Sequence, residues 1–325
     1  MNTPEMNPPD PPRKGLAQTR THLTKALVVV GLARAQLRAM AAALPSIETD
    51  EDPEALHDFR VALRRLRTLL TLVGDDLAPR LAAQCDRGLR RLTRSTGARR
   101  DLDVVLRDWV SATARPESIA MAIAPVAPLL QRERRRAQRQ LLAALRGGRS
   151  RQTLAATERL LAACEAAPAP QPAEVMELLH AAGRKLQRRL RRARREPTVP
   201  RLHAARKAGK RLRYLLEAWS ALYPNQIRRR ATRNAIVELK SLQDALGSIC
   251  DRAVLAATLT ELSARHAAAI ERSGGARADL AKFSATLQAQ ADAAARDAAK
   301  RLGAMPWSLP EDYAALVTRR APRAR

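Results

Sequence analysis

The sequence predicts an all-α protein built from two related, internally repeated helical halves. Three observations carry this. Ala, Leu and Arg, all strong helix formers, dominate the 325 residues, whereas Gly is scarce (13) and β-branched or aromatic runs are nearly absent. Apolar residues recur at helical spacing between breaks at Pro, Gly or polar clusters. A block in the first half also recurs in the second, followed in both places by the same second block.

Taken in order, a Pro-rich N-terminus (1–15) is expected to be disordered, and helices follow over 16–44, 53–73, 78–97, 101–113, 116–146, 150–167, 173–195, 200–222, 225–247, 251–272 and 276–302. The breaks fall at Leu44-Pro45-Ser46, Gly74-Asp75-Asp76, Gly147-Gly148, Tyr223-Pro224-Asn225 and Ser273-Gly274-Gly275. The run from Ala167 to Pro172 reads as the one internal linker. The expected organisation is thus a first half over 16–167, a linker at 168–172, a second half over 173–305 and a basic tail over 306–325.

Charge narrows the function. The formal net charge is +27 and the sequence pI about 11.5, yet 46% of residues are hydrophobic. A chain of that composition folds around a core, and so large an imbalance repels itself, so an anionic partner is expected. The longest uninterrupted apolar stretch, Ala26 to Ala33, is too short to span a bilayer, and the N-terminus carries no apolar signal-peptide core, so no membrane partner and a cytoplasmic location are expected. Cys85, Cys164 and Cys250 are widely spaced and suggest neither a disulfide framework nor a zinc site.

The repeat is the most informative feature. Leu56-His57-Asp58-Phe59-Arg60-Val61-Ala62-Leu63-Arg64-Arg65-Leu66-Arg67 matches Leu202-His203-Ala204-Ala205-Arg206-Lys207-Ala208-Gly209-Lys210-Arg211-Leu212-Arg213. The bias toward Arg, Leu and Ala inflates such a match, but it does not explain the paired His in a chain with only five. Further on, Leu89-Arg90, Leu92, Gly97, Asp101 and Val104 align with Leu239-Lys240, Leu242, Gly247, Asp251 and Val254.

On a helix, Leu56, Phe59, Leu63, Leu66 and Leu70 form an apolar seam, and His57, Arg60, Arg64 and Arg67 form a second stripe beside it. The second copy repeats this, with His203, Arg206, Lys210 and Arg213 beside Leu202, Ala205, Gly209, Leu212 and Leu216. A solvated basic face normally lies opposite the core. Cations flanking the seam point instead toward a groove between helices, where like charges at i, i+3 and i+4 strain the free helix and a polyanion relieves them. Arg adds a planar fork that fits phosphate oxygens, and His a donor that charges beside an anion. The competing readings are an ordinary solvated face for each stripe and a backbone-satisfied helix-start role for each His. The Gly-x3-Asp pieces predict Gly97 and Gly247 at helix ends, with Asp101 and Asp251 capping the next helices. Orientation of the stripe arginines is the second role open to these acids.

The duplicated motif, together with Arg100-Asp101-Leu102-Asp103-Val104 and Leu239-Lys240-Ser241-Leu242-Gln243-Asp244-Ala245-Leu246-Gly247, resembles the CHAD domain, the conserved histidine α-helical domain, over about Leu16 to Gly303. That resemblance implies two pseudo-symmetric helical bundles around a central basic pore, binding of inorganic polyphosphate, and association with polyphosphate granules. Carried onto this chain, the contacts it implies are His57, Arg60, Arg64, Arg65 and Arg67, then His203, Arg206, Lys207, Lys210, Arg211 and Arg213, with Arg90 and Lys240 as second choices. The copies differ where Thr68 stands opposite Tyr214, which reads as packing at the seam. Some relatives carry a fused phosphoanhydride-cleaving β-barrel, which this strand-poor sequence is not expected to contain.

The expected function is therefore non-catalytic polyphosphate binding, with other polyanions as possible partners. The alternative is general binding of duplex DNA or RNA by the same basic surface. Single strands are disfavoured, because aromatic residues are only 2% and few bases could stack. No nucleophile or metal cluster can be named, so no catalytic residue, metal or cofactor is expected.

Overall fold

A computed structural model describes residues 13–72, 78–113, 126–165, 172–224, 229–272 and 277–304. All of its elements are helices: α1 (Arg13–Thr49), α2 (Ala55–Leu70), α3 (Pro79–Ser95), α4 (Gly97–Thr113), α5 (Ala127–Arg146), α6 (Gly148–Glu165), α7 (Pro172–Arg195), α8 (Val199–Leu222), α9 (Arg229–Arg265), α10 (Ala267–Arg272) and α11 (Arg277–Ala304). The expected linker, apart from Pro172, lies outside the described residues, as do residues 1–12 and the whole basic tail.

Two of the expected boundaries are corrected. Pro45 does not end α1, which continues to Thr49 and stops at Asp50 with φ 62°. An internal Pro normally weakens a helix, but tertiary contacts hold this last turn. Ile47 is buried in the core, Gln138 donates to its carbonyl oxygen, and Arg146 pairs with Glu48 at 3.0 Å. Asp tolerates the left-handed backbone better than most residues. The expected helices 225–247 and 251–272 are instead one long helix, α9, from Arg229 to Arg265, followed by the short α10. Gly247 and Asp251 therefore sit inside a helix, Gly97 is the first residue of α4, and Asp101 lies within α4. Gly97 stands at a helix end as expected, directly after the α3 C-cap Thr96; the helix-end role expected of Gly247 and the capping roles expected of Asp101 and Asp251 do not occur.

The seams are where the periodicity puts them. Leu56, Phe59, Leu63, Leu66 and Leu70 of α2 are buried, as are Leu202, Ala205, Gly209, Leu212 and Leu216 of α8. Both seams feed one main core, to which α1, α3, α6, α7 and the first part of α9 also contribute. A second, smaller core joins Val105 of α4, Leu130 of α5, Leu255, Leu259 and Leu262 of α9, and Leu280 and Leu287 of α11. The long α9 thus bridges both cores. Contacts are closest between α1 and α2, α7 and α8, α8 and α9, and α9 and α11, while α2 also packs on α8. α3 approaches α6 so closely that a Cβ on Gly88 would lie 2.4 Å from Thr153 Oγ1.

One segment of α1, Val28–Thr49, is long and apolar enough to cross a membrane by length and composition. Its Val29, Val30, Ala33, Met40 and Ile47 are buried in the main core, and its Arg34 pairs with Glu165 and Glu158 of α6.

Candidate anion-binding site

The two basic stripes meet at Arg64, where α2 packs on α8. Arg64 of α2 lies within electrostatic reach of Arg206, Arg213 and Lys210 of α8. Among the described residues Arg64 has no acidic partner, and its Nε donates only to the Arg60 carbonyl oxygen at 3.1 Å. Among the described residues Arg206 and Lys210 likewise form no ion pair, and Arg213 reaches only Glu217, at 3.7 Å. Four cations of one sign thus converge with little counter-charge, which is costly unless an anion joins them.

The helices that follow each stripe hold its second residue in the same way. Arg60 Nη1 donates to the Thr93 carbonyl oxygen at 3.3 Å and to the Thr96 hydroxyl. Arg206 Nε donates to the Gln243 carbonyl oxygen, also at 3.3 Å, and Thr93 and Gln243 occupy matching places in the repeat. These bonds fix each guanidinium and leave its charge unneutralised. Gly247 makes room for the second: a Cβ there would lie 3.3 Å from an Arg206 Nη atom.

The electrostatic consequences are large. Burial, reinforced by Arg64, Arg206 and Arg213, pushes the Lys210 ammonium down to about 7, against a weak opposing pull from Asp251. Burial together with Lys207, Arg206 and Lys210 pushes His203 down to about 4. Burial and the neighbouring Arg64 push Arg60 down to about 10, although Asp101 pulls the other way. His57 is lowered by burial and by Arg100, whose Nη2 stands 3.1 Å from His57 Nδ1. In each case the charged form is less favoured than in water, and a nearby anion would favour it again.

The family's sequence profile matches residues 31–260. The chain belongs to the CHAD domain family. In structure it is similar to the CHAD domain from the plant Ricinus communis, with a TM-score of 0.66 and 25% sequence identity over 86% of this chain and 92% of that one. It is also similar to PptA from Streptomyces chartreusis, with a TM-score of 0.59 and 20% identity over 85% of this chain and 99% of that one. A search among curated proteins gave no match.

The CHAD motif residues do not all join the cluster. Arg65 pairs with Glu217 at 3.3 Å and Arg67 with Asp86 at 3.0 Å, so both are at least partly neutralised. Arg90 takes the other oxygen of Asp86 at 2.7 Å and is largely exposed. Lys240 is exposed on α9. Lys207 and Arg211 are exposed on the flank of α8 beyond His203. Arg213 reaches Glu217 only at 3.7 Å, and its buried Nε has no acceptor.

Tyr214 is buried, but it lies one helical turn beyond Lys210 on the stripe side and outside the main core, not at the seam expected of it. The guanidinium groups of Arg65 and Arg213 lie 5.6 and 5.0 Å from its ring centroid, and Arg64 is also within its reach. An aromatic face holds cations without neutralising them.

Stripe reasoning missed Arg100, which reaches the cluster from α4 and pairs only loosely with Glu54 at 3.7 Å. The signal was present in the Arg100-Asp101 motif, but a contact between separate helices has no periodicity to reveal it. Asp101 and Asp251 approach each other beside the cluster. Crowding and Asp251 hold the Asp101 carboxyl above its ordinary value against the pull of Arg60 and Arg100, although the residue stays open to solvent.

Proposed function

We propose that this CHAD domain is a non-catalytic binding module for inorganic polyphosphate, acting in the cytoplasm at polyphosphate granules. One observation carries the reading: half-buried cations of α2 and α8 converge, and among the described residues Arg64, Arg206 and Lys210 form no ion pair while Arg213 meets Glu217 only at 3.7 Å. Cations half-buried between two packed helices suit a thin, flexible chain with charge at every repeat unit. A nucleic-acid duplex is a stiff rod with its phosphates on the outside, and it engages exposed convex or grooved basic surfaces. The family resemblance supports the same ligand.

Competition tests the choice of ligand. Long-chain polyphosphate bound to the full chain should resist displacement by duplex DNA or RNA at equal phosphate concentration. Displacement by DNA at comparable concentration overturns the reading in favour of a general nucleic-acid binder. The non-catalytic part is tested by phosphate release from polyphosphate: none is expected, and release that disappears in His57→Ala would establish an enzyme instead.

A further inference from the structure

The stripes leave unexplained a second set of cations on α8. Taking α8 at about 100° per residue, its basic residues from His203 to Arg213 form a fan of about 160° with His203 at the centre, and Arg201 lies outside it. Arg206, Lys210 and Arg213 lie on the side toward α2, and Lys207 and Arg211 on the other side. That other side is not bare surface. It forms one wall of a cleft of about 330 Å³ against α7, with His203, Lys207 and Arg211 on the α8 wall and Lys185 and Arg189 on the α7 wall. The remaining lining is three alanines and a proline, and none of the lining residues is acidic.

We infer that the α7–α8 cleft is a second subsite for condensed phosphate, continuous through His203 with the cluster between α2 and α8, in which Lys185 and Arg189 hold the part of a long chain that has left that cluster. The inference rests on the polyphosphate reading above and adds residues outside the repeated motif. Three physical points support it. Five cationic or chargeable side chains line an acid-free cleft, so an anion entering it meets no repulsion. The floor is built of small side chains, so phosphate oxygens can approach the helix backbones while Lys and Arg close over them from the rim. His203 senses cations on both flanks, Lys207 from the cleft side and Arg206 and Lys210 from the cluster side, so an anion at either place lies within reach of the same imidazole. The Arg-rich end of α7 is thereby divided: Arg189 faces a site, whereas Arg188, Arg191 and Arg192 are exposed outside it.

Ligand length tests this. In Lys185→Glu/Arg189→Glu, affinity for long-chain polyphosphate should fall about tenfold or more, and the slope of log affinity against log salt should flatten by about two. Affinity for tripolyphosphate, too short to occupy cluster and cleft together, should stay within about twofold. Equal losses for both ligands, no loss for the long chain, or the same loss in the control Arg132→Glu/Arg136→Glu on α5 would each overturn the subsite. Lys185 in the unmodified protein gives a readout independent of folding: its acetylation should be slowed by long-chain polyphosphate and not by tripolyphosphate, and unprotected Lys185 sinks the inference. Failure of the unmodified protein to bind either phosphate is a different result, because it removes the polyphosphate reading itself.

Discussion

Two groups of arginines in this molecule carry the same charge and meet opposite fates. Beneath the junction of α1, α4 and α5, Arg99 is only 3% exposed, yet it pairs with Asp50 and Asp103, and Arg134 spans the same two carboxylates, with Nη2 2.7 Å from Asp50 and Nε 3.0 Å from Asp103. Burial alone would raise Asp50, but the hydrogen bond from Arg134 and the charge of Arg99 outweigh it and hold the carboxyl below its ordinary value. Between α2 and α8, by contrast, Arg64, Arg206 and Lys210 are half-buried with no carboxylate bonded to them. The first group locks helices together. The second is left electrostatically unfinished, and an arginine's role is therefore read from its counter-charge rather than from its burial.

The sharpest way to break this comparison is to remove each group in turn. Replacing Arg60, Arg64, Lys210 and Arg213 with Ala should reduce polyphosphate affinity by about 100-fold or more, since charged hydrogen bonds contribute about 1.5–3 kcal/mol each. The same four changes at Arg132, Arg135, Arg136 and Arg139, exposed on α5, should cost much less; equal losses measured by fluorescence titration would mean that the general field binds, not a site.

The paired group should show the reverse. Asp50→Asn keeps a residue that tolerates the left-handed backbone but leaves Arg99 and Arg134 short of charge, and it should lower unfolding free energy by about 3 kcal/mol in urea titrations. Polyphosphate affinity of the folded variant should be unchanged.

Lys210 offers a single-residue version. Lys210→Met removes a crowded cation, so the free protein should gain about 1 kcal/mol or more of stability while polyphosphate affinity falls about tenfold. A variant that loses both stability and affinity would show that Lys210 is structural.

The smallest effect concerns pH. In the free protein Lys210 titrates near 7, and a bound anion raises that value. Above about 7, binding therefore takes up a proton, so affinity should fall as pH rises from 7 to 8.5, by at most about tenfold per unit. The unfolded chain titrates at the ordinary 10.5, so the free protein should instead become more stable over the same rise. Isothermal titration in buffers of different ionisation enthalpy measures the proton uptake, and Lys210→Met should abolish that part of it.

Much of this was legible in the sequence because it is local. The two seams and the two stripes follow from helical spacing alone, and the residues at those positions are buried or half-buried as the spacing requires. What was not legible depends on contacts between helices far apart in the chain. Pro45 looks like a helix end until Gln138 and Arg146 are seen holding the turn beyond it. Gly97 and Gly247 look alike in the repeat, yet one opens a helix and the other lies inside one. Arg65 and Arg67 look like their stripe neighbours until Glu217 and Asp86 are found beside them. Charge pattern along one helix says where cations are, and only the packed neighbours say which of them remain available.

Gly247 shows how finely that availability is set. A glycine inside a long helix costs about 1 kcal/mol relative to alanine, and here the missing methyl is the space into which the Arg206 guanidinium settles, 3.3 Å from where a Cβ would stand. Gly247→Ala should therefore make α9 more stable and Arg206 shallower at once. The depth of this cation is gauged by a residue that has no side chain. On the proposed function, a single methyl group on a neighbouring helix should adjust affinity with every charge left in place.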